Sequence, residues 1–333
     1  MGETIAVVGD GAMGTVCAVL LARKGYQVTL WGHCAEQIAG IASRRENEAF
    51  LPGVPLPLSV GLTADDEAIF SGAGLVISAV PCRFLRAVWE RLRGRISRGS
   101  PLVSVTKGLE NETLLRPSEV LRELLGPRPL AALSGPNIAS ELAQALPATS
   151  TVASGDTAFA QGLQKLFSTN WLRIYTNTDI LGVELAGATK NVIAMAAGIV
   201  DGLALGDNAK AALVTRGLVE ISRLGVAMGA QAETFSGLSG LGDLVTTCIS
   251  PHGRNRTLGE LIGQGKAPEQ ARQEIPGEVE GVNTCQSLIK LARRHEVEMP
   301  ITQAMYAILF EGKSVSEAIG ELMTRRPKSE KMA

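Results

Sequence analysis

Three stretches of the chain carry residue types whose spacing points to chemistry. Gly9-Asp10-Gly11-Ala12-Met13-Gly14 is a GxGxxG near the start of the chain. In such a loop the first glycine makes a tight turn, the second lets backbone approach a pyrophosphate, and the third lets a helix pack against a strand. The helix that follows offers free N–H groups and a partial positive charge to a diphosphate. Far downstream, Gly253-Arg254-Asn255-Arg256 precedes the helical run TLGELIG. A guanidinium, an amide and a helix N-terminus together make an anion site, best suited to phosphate oxygens. The plainer reading is a capped helix with exposed arginines. The third stretch is VELAGATKNVIAMAAG, in which Lys190 is the only charge between Leu185 and Val200. On a helix its neighbours at three, four and seven positions are Val183, Ala186, Gly187, Ile193, Ala194 and Ala197, none of which pairs with an ammonium. The ordinary account of such a lysine is a stem lying on apolar surface with its head snorkelling to water.

These residues need elements to hold them. Apolar runs of four to seven residues alternate with helical patterns through the first half: TIAVVG, QVTLWG, LVISAVP, LVSVTKG, LAALSGP and STVASG, with CRFLRAVWERL and TAFAQGLQKLF among the helices. Short apolar strands alternating with helices predict a mainly parallel sheet covered on both faces, a Rossmann-type α/β domain. After LRIYTNTD the strand signal stops, and glycine-punctuated helical patterns such as VTRGLVEISRLGVAMG and CQSLIKLARRHEV follow. The expected organisation is a dinucleotide-binding domain over 1–180, an all-α substrate domain over 181–325 and a disordered tail over 326–333.

Composition narrows the function classes. With 32 Lys and Arg against 33 Asp and Glu, the net charge is −1, so no broad basic field recommends nucleic acid or an anionic membrane as partner. Aromatics make up only 4% while glycines number 37, which favours α/β packing of aliphatic and small side chains over a β-sandwich. Five scattered cysteines form no CxxC pair and are odd in number, so neither a zinc site nor a disulfide frame is indicated. The N-terminus lacks the pattern of a secretory signal, and the uncharged run VIAMAAGIV falls short of the roughly 20 residues of a membrane span. A soluble cytoplasmic protein acting on a small molecule is the expectation, with a homodimer left open.

At the end of the second predicted strand, where an acid usually binds the ribose 2′-hydroxyl of NAD, stand Trp31-Gly32-His33-Cys34. Without that acid NADP is allowed, and without an arginine there it is not demanded, so both NADP and NAD are expected. His33 could face the ribose or be an ordinary loop histidine. Lys107 in SVTKGLE and the turn Gly135-Pro136-Asn137 follow strands, at the ends where parallel sheets place ligands.

Taken together, TKGLE, SGPNIA, ELAGATKNVIAMAAGIVDGL, GLGDLVTTC, GRNR and VEGVNT occur in the order seen in bacterial-type NAD(P)-dependent sn-glycerol-3-phosphate dehydrogenases. The resemblance covers almost the whole chain, to MPITQAMYAILFEGK near its end. It implies that Lys190, desolvated among apolar neighbours and therefore less firmly protonated, delivers a proton to the substrate oxygen at C2. It further implies that Lys107 polarises the carbonyl, that Asp243 and Thr247 hold the substrate or the lysine, and that Arg254 and Asn255 bind the phosphate. Asn191, Gly135, Asn137 and Gly253 would complete the substrate contacts. Gly9, Gly11, Ala12, Met13, Gly14, His33, Phe50, Lys107, Ala139, Arg254 and Glu280 would meet the cofactor. The chain departs from the family pattern at Ala12-Met13, where Ser-Trp is usual, and at Asn137 and Gly253, where serines are common. The implied activity is reduction of dihydroxyacetone phosphate to sn-glycerol 3-phosphate for glycerophospholipid synthesis. The rival readings are a reductase of another small 2-oxo or 2-hydroxy compound and a non-catalytic NADP-binding regulator.

Overall fold

A computed structural model describes residues 4–251, 253–327 and 329–330, and its contacts divide the chain into two units. The first comprises residues 1–107 and 117–180, and the second 108–116 and 181–333. The expected boundary at residue 180 therefore misses one segment. Residues 108–116 pack with the helical unit, where Arg116 pairs with Glu184 at 2.7 Å and Ser287 donates to the Asn111 side chain at 2.6 Å. Of the expected tail, 326, 327, 329 and 330 lie in no helix or strand, and 328 and 331–333 fall outside the described residues.

The first unit contains strands β1 (Thr4–Val8), β2 (Gln27–Trp31), β3 (Glu46–Asn47), β4 (Leu51–Pro55), β5 (Val60–Thr63), β6 (Leu75–Ser78), β7 (Leu102–Ser104), β8 (Leu130–Ser134), β9 (Ala148–Ala153) and β10 (Leu172–Asn177). Eight of these form one sheet in the order β10-β9-β8-β7-β6-β1-β2-β5, while β3 and β4 make a separate antiparallel pair. Neighbours in the sheet run parallel except β8 and β9. Helices α1 (Ala12–Arg23), α2 (Ala35–Arg44), α3 (Cys82–Leu92), α4 (Pro117–Leu125), α5 (Ala139–Ala143) and α6 (Thr157–Phe167) provide the connections. The single reversal has a definite place. It falls between β8 and β9, whose connection over 135–147 contains the five-residue helix α5. The central strands β6 and β7 are buried at every residue, as expected for a sheet covered on both faces.

Helices dominate the second unit: α7 (Ile180–Gly202), α8 (Gly206–Ala227), α9 (Ala232–Ser236), α10 (Asp243–Ile249), α11 (Arg254–Gly263), α12 (Pro268–Gln273), α13 (Glu280–Arg294), α14 (Pro300–Phe310) and α15 (Val315–Met323). By length and composition α7 could cross a membrane, yet 94% of its apolar window is buried inside the protein, as befits a central core helix. Small residues let α11 lie directly on it. A Cβ built on Gly259 would stand 1.8 Å from the Met195 carbonyl oxygen, and one on Gly198 would stand 2.0 Å from that of Arg256. Backbone touches backbone at this crossing, which fixes the first turn of α11 against the middle of α7.

Glu220 on α8 closes the start of α14 from outside that helix. Its carboxyl accepts from the backbone N–H groups of Ile301 at 2.6 Å and Thr302 at 3.2 Å, satisfying donors that a helix N-terminus leaves free. Burial pushes this carboxyl from 4.5 up to about 7, against the opposing pull of those N–H groups and the Thr302 hydroxyl. The folded protein thus holds a proton between pH 4.5 and about 7 that the unfolded chain has released. Stability from this group is complete below the unfolded value and is lost as pH rises through the folded one, in all on the order of 3 kcal/mol. Denaturant unfolding at pH 5 and pH 8 should show wild type losing stability toward pH 8 and Glu220→Gln losing distinctly less. Equal losses would place the pH dependence elsewhere.

Candidate active site

In the first unit the glycine loop connects β1 to α1. Gly9 has φ +113°, and a Cβ there would stand 2.7 Å from the Ala79 carbonyl oxygen, so only glycine allows the turn. A Cβ on Gly14 would fall 1.9 Å from the Gly9 oxygen, which explains the third glycine as close packing of helix on loop. Gly11, by contrast, has nothing within 4 Å of its would-be Cβ, and as N-cap of α1 it supplies no side-chain hydrogen bond. The first turn of α1, which begins with Ala12 and Met13, is thus open to a phosphate in the way a dinucleotide loop requires. Asn47 escaped the sequence reading. Fully buried, it donates from Nδ2 to the Asp10 carbonyl at 2.7 Å and to Thr15 Oγ1 at 2.8 Å, pinning the loop from 37 and 32 residues downstream.

The same unit joins Lys107 to the turn at 135–137. Lys107 Nζ donates to the Gly135 carbonyl at 3.0 Å, and Ser150 Oγ donates to Asn137 Oδ1. Ala139 begins α5 just beyond that turn. His33 is exposed after β2, and Phe50 is exposed between β3 and β4.

In the helical unit Lys190 is 6% exposed and Asp243 only 1%. Lys190 Nζ donates to Asp243 Oδ1, and to Thr247 Oγ1 at 2.8 Å. Of the two roles that the resemblance implied for Asp243 and Thr247, the contact seen is the one to the lysine. Periodicity describes only the lysine's own helix, and the compensating charge arrives on α10. A π turn over Leu238–Gly242 leads into α10 and delivers Asp243 at its first position. That turn requires Gly240, whose Cβ would stand 2.0 Å from the Phe235 oxygen. Asn191 is buried beside Lys190 on α7. Opposite charges buried together must be mutually satisfied, because either one alone would bear an uncompensated desolvation cost.

At the start of α11 the residues of GRNR separate by role. Gly253 is the N-cap and gives no side-chain cap. Arg254 is exposed and makes no hydrogen bond or ion pair among the described residues. Arg256 is held by Asp201 at 2.6 Å, and Asp201 also takes Lys210 at 2.7 Å. Asn255 accepts the Gly281 N–H on Oδ1 at 2.9 Å, one residue past Glu280 at the start of α13. This uses the amide oxygen and leaves its NH2 group as the donor for an anion.

The described residues thus supply a dinucleotide loop in one unit, and a buried lysine with an open arginine in the other. Residues 4–160 match the family profile described as NAD-dependent glycerol-3-phosphate dehydrogenase N-terminus, and residues 179–320 match the corresponding C-terminus. The chain belongs to the NAD-dependent glycerol-3-phosphate dehydrogenase family. It is 48% identical over 329 residues to the glycerol-3-phosphate dehydrogenase [NAD(P)+] of Chlorobium limicola, covering 98% of this chain and 99% of that one. The Geobacter sp. strain M21 protein of the same name is 46% identical over 333 residues, with 99% of each chain covered. The crystal structure of glycerol-3-phosphate dehydrogenase from Coxiella burnetii superposes with a TM-score of 0.93 at 38% identity, over 97% of this chain and 99% of that one. A member of this family is an NAD(P)-dependent oxidoreductase, and neither a reductase of another 2-oxo compound nor a non-catalytic regulator is favoured.

Proposed function

We propose that this dehydrogenase reduces dihydroxyacetone phosphate to sn-glycerol 3-phosphate, with Lys190 as proton donor and Arg254 as the principal phosphate ligand. The observation that carries the reading is the buried Lys190, bonded to Asp243 and Thr247, on the helix that α11 crosses at glycine contacts. When bound, the nicotinamide cofactor supplies the hydride. Lys190 gives a proton to the oxygen at C2 as charge develops there, and the resulting amine recovers a proton from solvent. Asp243 and Thr247 hold the ammonium in one orientation, so donation costs little reorganisation. Lys107 polarises the carbonyl. Arg254 and the Asn255 NH2 group hold the phosphate together with the α11 N-terminus. Asn191, Gly135, Asn137 and Gly253 complete the substrate contacts. Gly9, Gly11, Ala12, Met13, Gly14, His33, Phe50, Ala139 and Glu280 serve the cofactor, as Lys107 and Arg254 also do.

The five unpaired cysteines suit a reducing cytoplasm, where the product would feed glycerophospholipid synthesis. A mass measurement in solution decides whether the protein is a homodimer. For the reaction itself, purified protein with NADH or NADPH should lose nicotinamide absorbance on addition of dihydroxyacetone phosphate and not on addition of pyruvate. Turnover on pyruvate alone would overturn the substrate assignment.

A further inference from the structure

The glycine loop carries an acid that the steps above do not use. Asp10 is 8% exposed, and its Oδ2 is buried with no hydrogen-bond partner. The Asn47 that pins the loop likewise leaves its Oδ1 buried and unpartnered. A buried acceptor without a donor is costly enough that native structures seldom keep one without a role. Two such oxygens, one on the glycine loop and one on the β3 residue that pins it, ask for a ligand that brings hydroxyl donors.

Where the Asp10 carboxyl lies identifies that ligand. A Cβ built on Gly32 would stand 2.5 Å from Asp10 Oδ2 and 2.6 Å from its carboxyl carbon. Gly32 directly follows β2, at the strand end from which dinucleotide folds usually extend an acid to the adenosine ribose. The Asp10 carboxyl occupies the space into which an acidic side chain at residue 32 would grow. The acid absent from the strand end therefore comes from the loop instead, and glycine at 32 makes room for it. Burial raises the affinity of this carboxyl for its proton, while its own backbone N–H and nearby His33 oppose that rise.

We propose that Asp10 selects the cofactor: its carboxylate accepts a hydrogen bond from the ribose 2′-hydroxyl and repels a 2′-phosphate, so that NADH binds in preference to NADPH. The proposal rests on NAD(P) binding by this unit and goes beyond it to the residue that discriminates. The test is fluorescence titration of the purified protein with NADH and with NADPH, read as the ratio of the two dissociation constants. Wild type should favour NADH. Asp10→Asn, which keeps the side-chain volume, and Asp10→Ala should each move the ratio toward NADPH by about tenfold or more, through loss of a charge-assisted bond to one nucleotide and relief of repulsion toward the other. Asp10→Gly combined with Gly32→Asp returns the acid to the strand end and should restore the NADH preference, whereas Gly32→Asp alone collides with Asp10. An unchanged ratio in Asp10→Asn and Asp10→Ala would overturn the proposal while leaving the family reading intact. Failure of wild type to bind either nucleotide would overturn both.

Discussion

Lys190→Met lowers kcat by roughly 10² to 10⁴, the range expected when a positioned general acid is lost, and leaves binding of NADH or NADPH to the first unit in place. The substitution also strands Asp243, which is 1% exposed, as a buried carboxylate without its ammonium. Removing one partner of a buried pair costs about 3 to 5 kcal/mol, so this variant must be checked for folding. Lys190→Arg separates the two effects. A guanidinium still compensates Asp243, but it does not release its proton, so the arginine protein should be folded and nearly as inactive as the methionine one. Activity within tenfold of wild type in a folded Lys190→Arg protein would reduce the lysine to a structural ion-pair partner.

Arg254→Ala reduces kcat/KM for dihydroxyacetone phosphate by roughly 10 to 10², the worth of one charge-assisted hydrogen bond at about 1.5 to 3 kcal/mol. The unphosphorylated ketone, dihydroxyacetone, is the control. Wild type should strongly prefer the phosphate ester, and the variant should lose most of that preference while its low activity on dihydroxyacetone barely changes. Binding energy from the remote phosphate also orients the carbonyl, so the loss is expected in kcat as well as KM. Arg254 suits this experiment because no described residue depends on it. Asn255 does not, since its oxygen also caps α13 through Gly281, and its removal would mix folding with binding. Equal damage to both substrates would assign Arg254 to the cofactor or the fold, and the phosphate would next be sought at Lys107.

Motif spacing was a guide to local geometry wherever a single strand, turn and helix define it. The three glycines of the nucleotide loop were legible because each meets a constraint within strand, turn and helix, and Gly9 and Gly14 lie against backbone atoms that exclude any side chain. The GRNR segment was legible as a helix start, but its two arginines look alike in sequence. Only the packing of α7 and α8 against α11 shows Arg256 committed to Asp201 and Arg254 free of such ties. Asn47 gave no signal, because nothing in the two-residue strand β3 reveals that it reaches back to the loop. Asp10 was visible as an acid beside glycines. Its meaning depends on Gly32, 22 positions away, and appears only when β1 and β2 lie side by side.

By itself the sequence determined the fold class, the succession of an α/β half and a helical half, and the family. All of these are written in short-range periodicity and in motifs whose spacing is set by a single turn or helix. Tertiary structure alone decided what each of those residues has for a partner. It turned β9 against β8, the one antiparallel pairing in the eight-stranded sheet. It drew residues 108–116 into the helical unit through the Arg116–Glu184 pair. It answered the isolated charge of Lys190 with Asp243 from another helix. Periodicity reports which face of an element is apolar, whereas ion pairs, orphaned acceptors and backbone contacts depend on which elements meet, and that is settled only when the whole chain has packed.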